Sequence, residues 1–163
     1  MVLIHNNIAG INALKAHLHS RFHIKDLGSL KYFLAFEVAR SLHGLVLNKR
    51  NYCLDLISEA GILGCKHAPM PFDPFIKLHP NKGALLLDPS SFRCLIGRLL
   101  YLTYTRLDIS FVVQQLSQFV SFPCEPHMQH ALRIIRYLKH APGYDLLYKS
   151  NTSLKIQAFS DSD

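Results

Sequence analysis

The amino-acid sequence predicts an α+β protein, and three observations carry that prediction. Apolar residues recur at three- and four-residue steps in several stretches, one stretch alternates with a period of two, and a proline-rich segment stands between these patterns and a second helical run. Val2 to Ile4 reads as a short strand, and Ile8, Ile11, Leu14, Leu18 and Phe22 then follow at helical spacing. After Asp26-Leu27-Gly28 the period changes to two, with Leu30, Tyr32, Leu34, Phe36 and Val38 on one face and Lys31, Phe33, Ala35, Glu37 and Ala39 on the other. His43-Gly44 offers a turn and Leu45-Val46-Leu47 a return strand, so residues 30–48 read as a β-hairpin. Tyr52, Leu56, Ile57 and Ala60 return to helical spacing, and Gly61 sits where that helix would end.

From Pro69 to Pro89 the prolines at 69, 71, 74, 80 and 89, with Gly83, remove backbone donors and fix dihedrals, which predicts an extended linker dividing the chain. Asp88 is placed to cap a helix with proline in its first turn, continued by Phe92, Leu95, Ile96, Leu99 and Leu102. Asp108 is read as the cap of a second helix through Ile109, Val112, Val113, Leu116 and Val120. Pro126 opens a third, with Met128, Ala131, Leu132, Ile135 and Leu138 on its apolar face and Pro142-Gly143 closing it, so a three-helix bundle is expected. Tyr144 to Tyr148 and Leu154 to Phe159 read as two terminal strands.

With 163 residues, 49% hydrophobic and 18% charged, the chain can bury one core, and disordered or collagen-like classes are excluded. No apolar run approaches the roughly 18 residues of a membrane-spanning helix, so no membrane partner is expected. Met1-Val2-Leu3-Ile4 is too short for the apolar part of a signal peptide, which gives the expectation of an intracellular, unsecreted protein. A net charge of +7 favours anionic partners, nucleic acid first among them. Only Lys49 and Arg50 are adjacent, however, so any basic patch must be built by folding. Cys53, Cys65, Cys94 and Cys124 lack paired metal-ligand spacing, and reduced, mostly buried thiols are expected.

Cys124, His127 and His130 stand at three-residue steps, yet a closed zinc site needs a fourth ligand, and surface or capping histidines are the plainer reading. Asp161 and Asp163 are two carboxylates at a chain end, where a solvated terminus is the simpler account than a metal site. Arg133, Arg136 and His140, with Lys139 nearby, fall opposite the apolar face of the last helix. Such a stripe serves equally as a phosphate contact or as the solvated side of an amphipathic helix. No phosphate-cradling glycine loop is present, and no serine or cysteine has a recognisable base beside it.

Longer words are more specific than this chemistry. Phe22-His23-Ile24-Lys25-Asp26-Leu27-Gly28-Ser29-Leu30-Lys31-Tyr32-Phe33-Leu34-Ala35-Phe36-Glu37-Val38 closely resembles a segment of copia-type retrotransposon polyproteins, in their reverse transcriptase. Tyr52 to Cys65, Asp88 to Arg93, Gly97 to Thr103, Thr105-Arg106-Leu107-Asp108-Ile109-Ser110-Phe111 and Leu132 to Pro142 resemble successive motifs of that family in family order.

The resemblance implies that the chain begins directly after the Tyr-Val-Asp-Asp sequence of the polymerase site. Residues 1–49 would be a remnant of the palm with a primer-grip-like hairpin, and 50–88 the first helix of the thumb with a Pro-rich linker. Residues 89–143 would be the connecting helices, and 144–163 the first strands of a truncated ribonuclease H. Asp161 matches the first metal-binding aspartate of that domain, with the other carboxylates absent, so no catalytic residue and no bound metal are expected. Magnesium would belong to the intact ancestral enzyme, and the upstream palm and fingers would be the missing partners.

The function so implied is that of a catalytically inactive reverse-transcriptase fragment with an ancestral role in RNA-directed DNA synthesis. The alternative is a small basic protein that binds nucleic acid weakly and without chemistry, through Lys31, Arg133, Arg136 and Lys139. Three positions depart from the family: Ala35-Phe36 stands for Gly-Ile, Leu107 for Pro and Met128 for Trp. An alanine at a glycine position is harmful where the backbone needs a positive dihedral.

Overall fold

The structure, a computed structural model, describes residues 2–73, 78–80, 83–151 and 158. Val2 to Ile4, expected as a strand, take no regular structure, because none of the described strands lies beside them to supply a hydrogen-bonding edge. Helix α1, Ile8–Phe22, starts where the Asn7 side chain accepts from the Gly10 N–H at 3.1 Å and ends on His23, whose φ of 48° is left-handed. Lys15 and Asp26, 2.9 Å apart, tie the returning chain to the helix. The apolar stripe read from the sequence is present but uncovered: no residue of α1 is buried, and Ile8 and Phe22 are 73% and 71% exposed.

Among the described residues four antiparallel strands follow the order β1-β2-β3-β4, with β1 at Tyr32–Phe33, β2 at Phe36–Ser41, β3 at Gly44–Asn48 and β4 at Leu146–Lys149. The expected hairpin is present as β2 and β3, closed at Leu42-His43, but its first strand does not run straight from Leu30 to Val38: the chain turns at Leu34-Ala35, which makes the hairpin part of a meander. Both turn residues have positive φ, 47° and 57°, with Phe33 paired to Phe36 across them. A two-residue turn of this kind normally carries Asn-Gly; two apolar residues hid it inside an unbroken alternation. Gly44, at φ 144°, admits β4, since a Cβ there would lie 2.0 Å from the Tyr148 carbonyl oxygen. The tail strand thus pairs with β3. The second terminal strand expected from Leu154, and Asp161 with it, lie outside the described residues.

Helices α2 (Arg50–Glu59), α3 (Pro89–Leu102), α4 (Ser110–Ser117) and α5 (Glu125–Leu138) share one core. Cys53, Leu56 and Ile57 of α2 pack with Phe92, Ile96 and Leu99 of α3, Val113 and Leu116 of α4, and Ala131, Ile134, Ile135 and Leu138 of α5. Each large apolar side chain so buried contributes about 1.5–3 kcal/mol. Among the described residues the bundle therefore has four helices where three were expected, and the proline-rich segment does not divide the core.

Asp88 caps α3 as its sequence predicts, accepting from the Ser90 and Ser91 N–H groups at 3.0 and 3.3 Å. Asp108 does not cap α4: it lies inside a 3-10 turn, Leu107–Ile109, and its carboxylate is held by Arg106 and Tyr137. The buried face of α5 is turned toward His127 and Ile134, leaving Met128 and Leu132 half-buried at its edge.

Ala35 occupies a left-handed position that costs an L-residue roughly 1–2 kcal/mol and glycine nothing. Part of that gain is offset by the freer unfolded glycine chain. Ala35→Gly should therefore raise stability by about 1 kcal/mol, read as a Tm increase of roughly 2–4 °C in a thermal melt.

Candidate functional site

A proline-rich segment leaves carbonyl oxygens without the ladder partners that regular structure would supply, and buried carbonyls need donors. Here the polar face of α5 supplies them. Lys139 Nζ donates to the carbonyls of Leu63 and, at 2.8 Å, Cys65. The Ala68 N–H donates to the Arg136 carbonyl at 3.2 Å. Arg133 Nε donates to the Met70 carbonyl at 3.4 Å, and its guanidinium lies 3.5 Å from Asp73. Toward the head of the helix His127 Nε2 meets the His79 carbonyl at 3.1 Å, the Glu125 N–H donates to Ala84 at 2.9 Å, and the Leu86 N–H to Pro123 at 3.0 Å. The described residues between 63 and 86 thus run antiparallel along α5.

Arg133, Arg136 and Lys139 are brought together on that face, all half-buried. Lys31 stands apart, exposed at the entry to β1. A groove of about 600 Å³ beside α1 is lined by Lys15 and Lys25, with His19, His23 and Asp26. The trio Cys124, His127 and His130 does not converge on a metal. Both ring nitrogens of His127 are bonded to backbone, and among the described residues no three ligating side chains cluster. Two of the four cysteines, Cys53 and Cys124, are buried, while Cys65 and Cys94 are exposed, and all four are free thiols.

Two buried cations escaped sequence reasoning. Lys49 is 1% exposed, with Nζ donating to the Tyr101 carbonyl at 2.6 Å and lying 4.2, 3.2 and 5.1 Å from the ring centroids of Phe36, Tyr101 and Tyr104. The last four carbonyls of α3 are all satisfied: Thr103 bonds Leu99 and Leu100, Thr105 and Arg106 bond Leu102, and Lys49 takes Tyr101. Burial pushes the Lys49 amine down to about 8. A Lys-Arg pair between a strand and a helix reads as surface, and nothing local marks it otherwise. The Tyr101 hydroxyl in turn donates to the Leu34 carbonyl, so the β1–β2 turn is fastened at the same place.

Arg106 explains the Thr105 to Phe111 word. It is 2% exposed and forms a two-pronged pair with Asp108 at 2.9 and 2.7 Å, while a third nitrogen donates to the Ala141 carbonyl at 2.7 Å. Tyr137 donates its hydroxyl to the same carboxylate at 2.7 Å. Burial raises the Asp108 pKa, and the bonds from Arg106 and Tyr137 outweigh it, so the carboxyl titrates below its ordinary value.

Removing the carboxylate leaves Arg106 buried without its counter-charge. Asp108→Ala should cost about 3–5 kcal/mol in denaturant unfolding. Because the folded pKa is depressed, the stabilisation from Asp108 is complete above the unfolded value of about 3.9 and fades as pH falls through the folded pKa. Asp108→Ala should lack that acid limb.

No protein-family model matches the chain, and no solved structure matches it. Among curated proteins it is 38% identical over 161 residues to the retrovirus-related Pol polyprotein from transposon RE1 of Arabidopsis thaliana, covering 99% of this chain and 10% of that protein. It is 36% identical over 154 residues to an uncharacterized mitochondrial protein of Arabidopsis thaliana, covering 94% of this chain and 63% of that one. With the putative transposon Ty5-1 protein of Saccharomyces cerevisiae it shares 29% identity over 151 residues, 91% of this chain and 49% of the relative. The chain spans about a tenth of the length of the RE1 polyprotein. Along nearly its whole length, therefore, it resembles a fragment of a retrotransposon Pol polyprotein.

Proposed function

We propose that this chain is a non-catalytic segment of a copia-type Pol polyprotein. It would run from the end of the reverse-transcriptase palm (1–49) through the thumb start and linker (50–88) and the connecting helices (89–143) to the first ribonuclease H residues (144–163). The alignment with a Pol polyprotein over 99% of the chain carries this reading. Phosphoryl transfer to a primer end needs metal ions held by clustered carboxylates. In the family these sit in Tyr-Val-Asp-Asp, which does not occur among the 163 residues.

Two structural features support the assignment. The uncovered apolar stripe of α1 suits a helix whose packing layer belongs to upstream palm and fingers. The β1–β2 turn, fastened by Tyr101 and Lys49, suits a hairpin held in fixed relation to the helices so that it can meet a primer. Within the polyprotein its role would be to bear on template and primer. Alone it would bind nucleic acid weakly, without sequence preference, through Lys31, Arg133, Arg136 and Lys139.

The purified chain should extend no primer and cleave no RNA strand of a hybrid with magnesium or manganese, and Asp161→Asn should change nothing. Metal-dependent activity abolished by that substitution would overturn the proposal. Nucleic-acid affinity, measured by fluorescence anisotropy, should fall steeply with salt. Arg133→Ala combined with Arg136→Ala should reduce both affinity and salt slope. Binding indifferent to salt and to that pair would remove the contacts from α5.

A further inference from the structure

His127 is wholly buried in the first turn of α5, and its two ring nitrogens are committed to backbone groups of opposite kind. The Cys124 N–H donates to Nδ1 at 2.9 Å, so Nδ1 carries no proton. The His79 carbonyl can only accept, so Nε2, 3.1 Å away, must hold the hydrogen. These two bonds fix the neutral ring in a single tautomer. The ring lies flat on Phe119, with centroids 4.1 Å apart and planes within 12°, and Phe92 of α3 closes another side at 6.4 Å.

Around this ring the proline-rich segment is fastened to the head of α5. Cys124 Sγ lies 3.7 Å from the Pro80 carbonyl, Leu85 pairs with Cys124, and Ala84 and Leu86 bond Glu125 and Pro123. Among the described residues no carboxylate bonds His127 to balance a second ring proton, both ring nitrogens being taken by backbone. Among the described residues its titratable neighbours are Cys124, whose N–H donates to it, and His130, which in turn faces Arg133 on α5 and Asp73 on the segment. Phe119 and Phe92 offer only rings, and His79 offers its carbonyl.

We propose that His127 is an acid-sensitive clasp: a proton on Nδ1 sets the ring N–H against the Cys124 N–H, and residues 78–80 and 83–86 then leave the head of α5. Two donors face to face cannot bond, and the buried Cys124 amide would be left unsatisfied. Burial lowers the proton affinity of the ring, partly offset by the His79 carbonyl. With the closed-state pKa depressed, the open state binds the proton better. The clasp is therefore closed above the ordinary histidine value of about 6.5 and yields as pH falls below it.

The thiols report this directly in the intact chain, because Cys124 lies beneath the clasp, Cys53 lies in the core, and Cys65 and Cys94 are exposed. Labelling with 4,4′-dithiodipyridine, which stays reactive in acid, is resolved by peptide mapping and divided by the rate in the unfolded chain at the same pH. Cys124 accessibility should rise about tenfold between about pH 7.5 and about pH 5, with Cys53 unchanged. His127→Gln, whose amide does not titrate there, should flatten the Cys124 profile. A flat wild-type profile, a rise shared equally by Cys53, or a profile kept by His127→Gln and lost in His130→Gln would overturn the proposal. Should His127→Gln not fold, the ring ¹⁵N shifts of His127 in the wild type decide. A midpoint matching the Cys124 profile supports the clasp, and one displaced by more than about a pH unit overturns it.

Discussion

The end of α3, and the chain three to six residues beyond the ends of α2, α4 and α5, present backbone carbonyls that are reached by basic side chains from elsewhere in the fold. Lys49 takes the end of α3, Arg93 the Val120 and Ser121 carbonyls beyond α4, Arg106 the Ala141 carbonyl beyond α5, and Lys139 the Leu63 and Cys65 carbonyls beyond α2. The last carbonyls of a helix have no partner within it and carry the negative end of its dipole, so a cation both donates and neutralises there. At α3 the Lys49 bond completes that set, so its buried face packs into the core with no carbonyl of its last turn left unpaired. The sheet joins the same scheme, because the lysine that closes α3 follows directly after β3 and also sits over Phe36 of β2.

Much of the fold was legible because periodicity reports burial, and where burial is one-sided the pattern is plain. Phe92, Ile96 and Leu99 of α3, and Ala131, Ile135 and Leu138 of α5, lie where three- and four-residue steps place them. The pattern fails where another term decides. At Leu34-Ala35 the alternation continues through a turn, since nothing in two apolar residues announces positive φ. At Asp108 a residue with good capping chemistry is claimed by a buried guanidinium, a stronger partner than two backbone amides. At α1 the stripe is real but periodicity cannot say what covers it.

The candidate site was legible as residues and not as arrangement. Arg133, Arg136 and Lys139 do share a face, as their spacing requires. What spacing could not reveal is that the proline-rich segment and the chain just before it lie along that face, because the demand comes from carbonyls 63 and 74 residues away, those of Met70 and Cys65. For the trio Cys124, His127 and His130 the plainer reading of a capping histidine holds at His127, though spacing could not show which groups it caps. His127 serves as a bifunctional backbone partner at the helix head, which consumes the lone pair a metal would need.

This bears on what a basic composition means. The chain has 18 lysines and arginines against 11 acidic residues, and composition alone offers the excess to an anionic partner. In the fold, Lys49, Arg93, Arg106, Arg133 and Lys139 all donate to backbone carbonyls, so part of the excess answers an internal demand for donors at helix ends and along a proline-rich segment. A carbonyl attracts a cation through its dipole without cancelling its charge, so the net +7 persists as a long-range field although several of its sources are spent locally. Such a field would draw a polyanion toward the protein, where exposed Lys31 and the half-buried Arg133, Arg136 and Lys139 remain within reach of it. Under the proposed function, that division makes the association weak and salt-sensitive.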